Sequence, residues 1–543
     1  MAVSHVPVRK LFVASALAVS AAVSAFAIWV NPNGWHLFWF FGPLILLGIV
    51  DMTQTRHAIL RNFPVLGHAR YLLELIRPEI NQYFIESNTD GSPFNREQRS
   101  LVYQRAKKQL DTLPFGTQRD VYATGYEWVD HSMAPLGHPA ETPRVRIGFD
   151  RCAQPYEASL LNVSAMSFGS LAPNAVKALN LAAKAGGFAH NTGEGSISAH
   201  HRQGGDLIWQ LGTGYFGACS EAGVFDEAPF KERSADAQVK MIELKLSQGA
   251  KPGHGGILPA AKITPEVAAI RRVPMGADVL SPPTHREFDS PEAMLDFLDR
   301  LRELSGGKPV GIKLCVGDPV EVLAICRAMH ESGQSPDFLT VDGSEGGTGA
   351  APLEFSNSIG WPLTEGLAFV HNALVGFGLR ERVKIIAAGK IVTGFDMAKR
   401  LAQGADLCNS ARGMMFALGC IQARRCHQND CPVGVATQKP GLVRGLVVED
   451  KAPRVRNFQA GTVAAFRELL GAAGLAHPDD LRPRHILRRT SGQTVQTYAE
   501  IFEYLRPGQL LDGPVPAFWR PLLDRSRAEA FNRSPRRFTV PEA

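Results

Sequence analysis

The chain has 543 residues, of which 45% are hydrophobic and 20% charged, and its formal net charge at pH 7 is +6. These values are typical of a globular protein with a large core, and they exclude an intrinsically disordered chain. The charge is modest and no stripe of lysine and arginine alternates with aromatic residues, so no nucleic-acid partner is expected. The eight cysteines are too sparse for a small disulfide-stabilised secreted protein, which favours a reducing compartment.

Two apolar segments near the N-terminus predict a transmembrane helical hairpin. A basic start at 1–10 precedes residues 11–30, which contain no charge and are long enough to cross a bilayer as a helix. The turn residues NPNG (31–34) separate this run from a second one at 35–50. Basic residues flank both outer ends, so the positive-inside rule predicts an inner (cytoplasmic) membrane protein whose catalytic domain faces the cytoplasm. The alternatives are a single span with an interfacial second segment and a cleaved signal peptide, although the first run is long for a signal peptide.

Beyond a largely helical connector at 51–154, the pattern changes to that of a parallel sheet with helices outside. From 155 to 445, short runs rich in Val, Ile and Leu alternate with helical stretches. Eight candidate strands are present: 159–165, 186–192, 215–220, 241–247, 310–315, 338–344, 383–390 and 407–413. A ninth candidate at 278–283 is assigned to the loop after the fourth strand. Eight strands close a TIM (β/α)8 barrel, so we predict that fold, with an open doubly wound sheet as the alternative and a C-terminal extension at 446–543.

Six of the candidate strands end in glycine and polar residues. In a TIM barrel the C-terminal strand ends line the active-site mouth, so these endings predict a ligand site there. The last two, AAGK (387–390) and NSARG (409–413), suit a phosphate group, because glycines let backbone N–H groups approach an anion and a helical segment follows. Lys390 and Arg412 would add positive charge. A phosphate-bearing cofactor such as FMN or a nucleotide is therefore expected.

The segment at 420–438 contains three cysteines, Cys420, Cys426 and Cys431. Their spacing does not fit one face of an ideal helix, so a loop would have to bring the sulfurs together. Three thiolates without a fourth cysteine nearby suit an iron–sulfur cluster with three bound corners. Zinc would need a fourth ligand, for which His427 is awkwardly placed, and three buried structural thiols are the remaining alternative.

Several motifs, in their order along the chain, resemble the FMN-binding synthase domain of glutamate synthase. They are SAMSFGS (164–170), NTGEG (191–195), QGAKPGHGG (248–256), GIKL (311–314), DGSEGGTGAAP (342–352) and the three-cysteine segment followed by PVGVATQ (432–438). The resemblance covers about residues 155–445 and is greatest to the short, stand-alone branch of that family. It implies a TIM barrel that holds FMN and a [3Fe-4S] cluster.

The resemblance also implies roles for individual residues. Cys420, Cys426 and Cys431 match the cluster ligands. The expected FMN-binding residues are Met166, Ser167, Asn191, Gln248, Lys251, Lys313, Gly346, Gly347, Gly389, Lys390, Ser410, Ala411, Arg412 and Gly413. The expected catalytic residues are Lys313, Glu194 and His254, where Lys313 would place a cation near the reduced flavin.

The implied reaction reduces 2-iminoglutarate, formed from 2-oxoglutarate and ammonia, to glutamate, an oxidoreductase reaction on CH–NH2 groups. A ferredoxin or a reductase subunit would donate electrons, since no second glycine-rich dinucleotide motif is evident. His254 stands where glutamate synthases typically have Glu, and no glutaminase domain precedes the barrel, so ammonia would come from solution or a partner. The alternatives are an enzyme for another amino or imino acid, such as an amine–glutamate synthase, a quinone-linked dehydrogenase, a membrane redox sensor, and an IMP-dehydrogenase-like barrel. The last would need a catalytic loop cysteine, which is not seen.

Overall fold

The structure is a computed structural model that describes residues 8–137 and 142–531. The chain divides into two compact units, Met1–Arg96 and Glu97–Ala543. Most of the basic start predicted at 1–10 and the last part of the extension predicted at 446–543 lie outside the described residues.

The first unit begins with the expected pair of apolar helices. Helix α1 (Val8–Trp29) leads through a 3-10 turn (Pro32–Leu37) into helix α2 (Phe38–Thr53). Asn31 caps the turn, because its side chain accepts a hydrogen bond from the backbone N–H of Asn33 at 3.0 Å. By length and composition, α1 and the segment Pro32–Thr53 both qualify as candidate membrane spans.

A buried carboxylate holds the corner that follows α2. The chain passes through helix α3 (Ala58–Asn62) into helix α4 (Gly67–Ile80), which continues as a π-helical turn at Asn81–Ile85. Asp51 accepts a hydrogen bond from the backbone N–H of Val65 at 2.9 Å, and its carboxylate lies 2.9 Å from Nε2 of His68. The start of α4 is thereby fixed against the end of α2.

The second unit is built on a closed barrel of eight parallel strands. The strands are β1 (Leu161–Val163), β2 (His190–Asn191), β3 (Leu207–Leu211), β4 (Val239–Lys245), β5 (Val310–Leu314), β6 (Phe338–Asp342), β7 (Lys384–Ala388) and β8 (Leu407–Ser410). The barrel closes where β8 pairs with β1, for example Asn409 with Asn162. The predicted TIM barrel is confirmed.

One predicted strand is wrong. Seven of the eight candidates overlap a barrel strand, but 215–220 is a loop, and the third strand is Leu207–Leu211. Tyr215 and Gly217 have positive φ angles of 44° and 85°, which no strand adopts. The segment 278–283 lies after β4 as predicted, where Val279–Leu280 pairs with Ile257–Leu258.

Helices surround the barrel. Those that follow barrel strands are Pro173–Gly186, Glu227–Ser234, Pro291–Leu304, Pro319–Ser332, Leu363–Gly376, Gly394–Ala402 and Arg412–Leu418. Helix Pro319–Ser332 shows why they form here: Asp318 accepts a hydrogen bond from the backbone N–H of Val320, proline occupies the first turn, and Gly333 ends the helix at a φ of 73°. The 25-residue helix Val448–Ala472 packs against the helices that follow β1, β7 and β8, so the outer layer extends past residue 445.

The barrel interior has an apolar floor and a polar upper layer. The floor consists of Ile147, Tyr156, Ala158, Ala189, Ile208, Met241, Phe338, Ile386 and Leu407. Side chains alternate across a strand, so Met241 of the floor, Glu243 and Lys245 all face inward from β4. The polar residues therefore gather toward the C-terminal ends of the strands.

Candidate active site at the barrel mouth

Glu243 organises the polar layer. Its Oε1 accepts hydrogen bonds from Asn191 Nδ2 and Gln210 Nε2, each at 2.7 Å, and its Oε2 accepts one from Thr340 Oγ1, also at 2.7 Å. The residue is 0% exposed. A carboxylate buried this deeply needs such partners, since desolvation of an unpaired charge is very unfavourable. Glu243 therefore links β2, β3, β4 and β6 beneath the mouth.

Glu194 and Lys245 form an ion pair above this layer. Lys245 Nζ lies 3.0 Å from Glu194 Oε2 and also donates a hydrogen bond to Gln248 Oε1 at 2.6 Å. Burial on its own would raise the pKa of Glu194, but Lys245 and Lys251 outweigh burial and hold that pKa below its usual value. Glu194 is thus an anion set among cations at the mouth.

Lys313 and Lys251 add two cations of different character. Lys313 Nζ lies 3.1 Å from Asp342 Oδ2. Burial would lower the pKa of Lys313, but Asp342 and Glu243 outweigh it, and the pKa is raised. Lys251 Nζ donates a hydrogen bond to the backbone oxygen of Ala350 at 3.1 Å, and there burial prevails and lowers the pKa to about 8. Lys313 is therefore a fixed cation, whereas Lys251 can gain or lose a proton near neutral pH.

Two further cations lie at the ends of β7 and β8, as predicted from their motifs. Lys390 follows β7, and Arg412 follows β8 and donates a hydrogen bond to the backbone oxygen of Glu345 at 2.6 Å. A Cβ atom on Gly347 would lie 2.8 Å from Arg412 Nε, so glycine lets the loop after β6 approach the guanidinium. Burial lowers the pKa of both cations, that of Arg412 to about 10. Arg412 is therefore charged at neutral pH.

The other residues predicted to bind the phosphate also lie at the C-terminal ends of β7 and β8. Gly389 ends the β7 motif with a φ of 141°, and Ser410 donates its hydroxyl to the backbone oxygen of Ile391 at 2.6 Å. Ala411 is the N-cap of helix Arg412–Leu418, which contains Gly413. That helix has only seven residues, so side-chain cations and backbone N–H groups, rather than a long helix dipole, dominate the electrostatics here.

The endings of β1 and β2 lie against each other. Gly193 has a φ of 63°, and a Cβ atom on it would lie 2.6 Å from the backbone nitrogen of Ser167 and 2.8 Å from the carbonyl carbon of Met166. Asn191 bonds within the protein at both ends of its amide, since its Nδ2 donates to Glu243 and its Oδ1 accepts from the backbone N–H of Gly193 at 3.0 Å. Asn191 thus supports the mouth from below.

His254 and Gly346 occupy the loops after β4 and β6. The Nδ1 atom of His254 lies 2.9 Å from the backbone oxygen of Gly255, and its ring stands edge-on to Phe355 with 5.1 Å between centroids. Among the described residues, these contacts of His254 do not include Glu194. Gly346 closes a turn by donating its N–H to the backbone oxygen of Gly343 at 2.8 Å.

The three cysteines lie on an irregular segment, as their spacing predicts. Cys426 opens a 3-10 turn at Cys426–Gln428, while Cys420 and Cys431 lie in loops on either side. The pKa of the Cys420 thiol is raised to about 12, chiefly by burial and also by the charges of Cys426 and Cys431, so the thiols are near one another. Within residues 8–137 and 142–531, no group of three His, Cys, Asp or Glu side chains could hold a metal ion.

The cysteine segment adjoins the loop that follows β1. Gln438 donates hydrogen bonds to two backbone oxygens of that loop, at 2.8 and 3.1 Å. Lys262 Nζ donates to a third, that of Ser170, at 2.9 Å. Burial lowers the pKa of Lys262 to about 8, while Cys426 and Cys431 act to raise it. A buried cation therefore lies beside two of the thiols.

A separate open cavity of about 630 Å³ lies at the opposite end of the barrel. Lys231, Lys240 and Lys308 line it. Lys308 Nζ donates to the backbone oxygen of Asp236 at 3.1 Å, and Lys231 pairs with Glu227 at 3.3 Å. These lysines serve the structure, and that end of a TIM barrel typically contributes stability rather than catalysis.

A family model described as the conserved region in glutamate synthase matches residues 141–476. The chain belongs to this family. That makes it a glutamate synthase-type oxidoreductase, and the resemblance seen in the motifs is confirmed.

Named relatives show how far the likeness to glutamate synthases extends. The glutamate synthase large subunit-like protein YerD of Bacillus subtilis is 39% identical, over 82% of this chain and 93% of its own length. The archaeal glutamate synthase (NADPH) of Methanocaldococcus jannaschii is 36% identical, over 59% of this chain, which spans 60% of that relative's length. Among solved structures, a mandelate oxidase covers 79% of this chain and 96% of its own, at a TM-score of 0.40 and 13% identity, too distant a likeness to argue from.

Five residues of the barrel mouth were not predicted individually from the sequence. They are Glu243, Lys245, Gln210, Asp342 and Asn409, the last two of which lie within predicted strand-end motifs. A signal for the first two was present, since two charged residues stand two apart inside an otherwise apolar strand. Asn409 stands two residues after the floor residue Leu407 on β8. The residue is 2% exposed, and its Oδ1 has no hydrogen-bond partner among the described residues.

Proposed function

We propose that this chain is a membrane-anchored FMN and iron–sulfur oxidoreductase that reduces 2-iminoglutarate, formed from 2-oxoglutarate and ammonia, to glutamate. One observation carries the proposal. A single barrel mouth gathers a fixed cation (Lys313), a cation that titrates near neutral pH (Lys251) and an ion pair (Lys245 with Glu194), next to the three-cysteine segment.

The residues of the mouth suit FMN. The buried Oδ1 of Asn409 has no partner among the described residues, and it lies on the inward side of β8, where a polar ligand atom would satisfy it. Lys390 and Arg412 would hold the phosphate, and Met166 and Ser167 would border the ring. Bound FMN would supply hydride-transfer chemistry.

The chain's own side chains would supply charge and a proton. Lys313 keeps its charge over a wide pH range because Asp342 lies 3.1 Å away, so it would stabilise negative charge beside it. Lys251, with a pKa of about 8, would hold or release a proton at Nζ. Lys251, whose nearest acceptor is a backbone oxygen, would also attract a carboxylate of the substrate, while the apolar floor excludes water from below.

The cysteine segment would hold the [3Fe-4S] cluster. A cluster of several irons is wider than one ion, so its ligands stand further apart than those of a single metal, which is compatible with the absence of a single-ion site among the described residues. The buried ammonium of Lys262 would offset the negative charge of thiolates at Cys426 and Cys431. The cluster would accept electrons from a ferredoxin or a reductase subunit.

The N-terminal hairpin would anchor the enzyme in the inner membrane. The candidate spans carry charge only at their outer ends, where Arg9 and Lys10 begin the first and Asp51 stands near the end of the second, and Arg56 and Arg61 follow the second. Basic residues at both outer ends would place the catalytic unit on the cytoplasmic side.

The test is the anaerobic oxidative half-reaction. The purified protein would be reduced with dithionite and mixed with 2-oxoglutarate, with and without ammonium, while flavin absorbance and glutamate are followed. We expect flavin reoxidation and stoichiometric glutamate only when both substrates are present. Reoxidation that ignores both would refute the glutamate assignment, and a protein without flavin or iron would refute the cofactor assignment.

His254 favours one second candidate, the same chemistry on another amino or imino acid. An imidazole replaces the carboxylate that glutamate synthases typically carry at this position, and unlike a carboxylate it can donate a hydrogen bond to the substrate. The same assay with alkylamines in place of ammonium would separate the two. Under the second candidate, His254→Glu should raise the rate with ammonium and lower the rate with the amine.

A further inference from the structure

The segment from Leu66 to Ile85, which follows the hairpin, presents an unpartnered apolar face. Tyr71, Leu75 and Ile85 lie elsewhere, but at 100° per residue six exposed large apolar side chains fall within about 120° of the helix circumference. These are Leu66, Leu72, Leu73, Ile76, Tyr83 and Phe84, whose exposed fractions run from 39% for Ile76 to 83% for Phe84. So many large apolar side chains exposed on one face mark an interaction surface.

Charged residues border this face. On the same projection, Arg70 and Arg77 lie within about 40° of one edge of the apolar face. Glu79 lies at the other edge of that face. Arg70 is exposed and pairs with Glu74, one turn along the helix, at 3.0 Å. Long arginine side chains at the edge of an apolar face can lay their stems on apolar surroundings and reach phosphate groups with their guanidinium.

The position of the helix decides what covers the face. Asp51, near the end of the second candidate span, contacts His68 and the backbone N–H of Val65, and so holds the start of α4 at the point where the span ends. A helix that begins there begins at the level of the lipid headgroups.

We propose that Leu66–Ile85 is an interfacial helix that lies along the surface of the bilayer, with its apolar face among the acyl chains and Arg70 and Arg77 on anionic lipid phosphates. The inference rests on the proposed membrane position of the hairpin. It adds a second, reversible kind of membrane contact to that anchor.

Photo-crosslinking to lipid tests the proposal on the full-length protein. The protein would be placed in nanodiscs of phosphatidylcholine and phosphatidylglycerol that contain a phospholipid with a diazirine on its acyl chain, then irradiated, digested and mapped by mass spectrometry. We expect adducts in 8–53 and also on Leu72, Leu73 and Phe84. Adducts in 8–53 with none in 66–85 would overturn this inference alone, and adducts in neither segment would also overturn the proposed hairpin. Crosslinks between 66–85 of two copies would assign the face to self-association instead.

A matched pair of variants controls for folding. The change Leu72→Gln with Leu73→Gln should lower the adduct yield over 66–85 about tenfold. Leu75→Gln removes an equally large, 68% exposed side chain outside this face and should leave the yield unchanged. Equal losses in both variants would refute the orientation. Replacing Arg70 and Arg77 with Gln should remove the difference in yield between discs with and without phosphatidylglycerol, and a difference that persists would refute the anionic-lipid contact.

Discussion

Lys251 is a lysine whose charge destabilises the folded barrel, and removing it should stabilise the protein. Burial lowers its pKa from 10.5 to about 8. At 1.36 kcal/mol per pKa unit, this interval corresponds to about 3 kcal/mol of unfavourable free energy when the lysine is charged. Lys251→Met should therefore increase the free energy of unfolding of flavin-free protein by up to about 3 kcal/mol at pH 7.

The sign of the pH dependence follows from the same two values. Between pH 8 and 10.5 the unfolded chain keeps the lysine proton that the folded chain releases, so the destabilisation is complete below about pH 8 and disappears above about pH 10.5. The stability gain of Lys251→Met over the parent should shrink across this interval. The loss of attraction between Lys251 and Glu194 is already contained in the lowered pKa, because Glu194 acts to raise it.

Urea unfolding followed by tryptophan fluorescence, at pH 7 and at pH 10.5, measures this effect. Lys184→Met, which removes an exposed lysine, is the control and should change stability little at either pH. The variant should also lose most of its turnover, since a destabilised charge at an active site is retained for function. A variant that is less stable than the parent at pH 7, or a gain that is the same at both pH values, would refute the reasoning.

Three other predictions concern the remaining parts of the site. Glu243→Ala leaves two buried amide donors unpaired, which costs about 1–3 kcal/mol for each donor. It should therefore lower the free energy of unfolding far more than Glu243→Gln, whose side-chain oxygen can still accept from both amides. Equal losses in the two variants would show that the hydrogen bonds of Glu243 do not matter. Lys313→Gln should make the flavin midpoint potential more negative in a spectroelectrochemical titration, because the variant loses a cation that favours reduced flavin. An unchanged midpoint potential would place Lys313 away from the flavin. Cys426→Ser should remove the iron–sulfur electron paramagnetic resonance signal, while the control Cys326→Ser, in helix Pro319–Ser332, should keep it. Loss of the signal in both variants would point to misfolding. Retention of the signal in both variants would refute the ligand set.

The barrel was predictable because its strands and strand endings carry local signals. β3 was not, for a physical reason. Gln210 interrupts its apolar run, yet that side chain faces the barrel interior and bonds to Glu243 at 2.7 Å. Tyr215 and Phe216 are buried and so resemble strand residues, although they lie in a loop with positive φ at Tyr215. A buried loop and a buried strand have the same apolar composition, and only pairing distinguishes them.

The candidate site was predictable at the strand ends and much less so inside the barrel. Lys313 and Lys251 stand in recognisable motifs, whereas Glu243 and Lys245 stand out only as two charged residues inside an apolar strand. Whether a strand residue faces inward depends on how the barrel closes, for example on the pairing of Glu243 with Gln210 of β3. That register joins residues far apart in the chain, so no local pattern contains it.

The electrostatics of the mouth indicate what it is built to receive. Lys245 has Glu194 and Lys313 has Asp342 as close partners, but the nearest acceptor of Lys251 is a backbone oxygen. Asp342 helps to raise the pKa of Lys313, whereas burial lowers the pKa of Lys251. Among the described residues, Lys251 is thus the one of these three lysines with no anion at hydrogen-bond distance from its Nζ. A substrate carboxylate beside Lys251 would supply that anion and raise the pKa of the lysine, so substrate binding would load the proton that reduction of an imine to an amine requires.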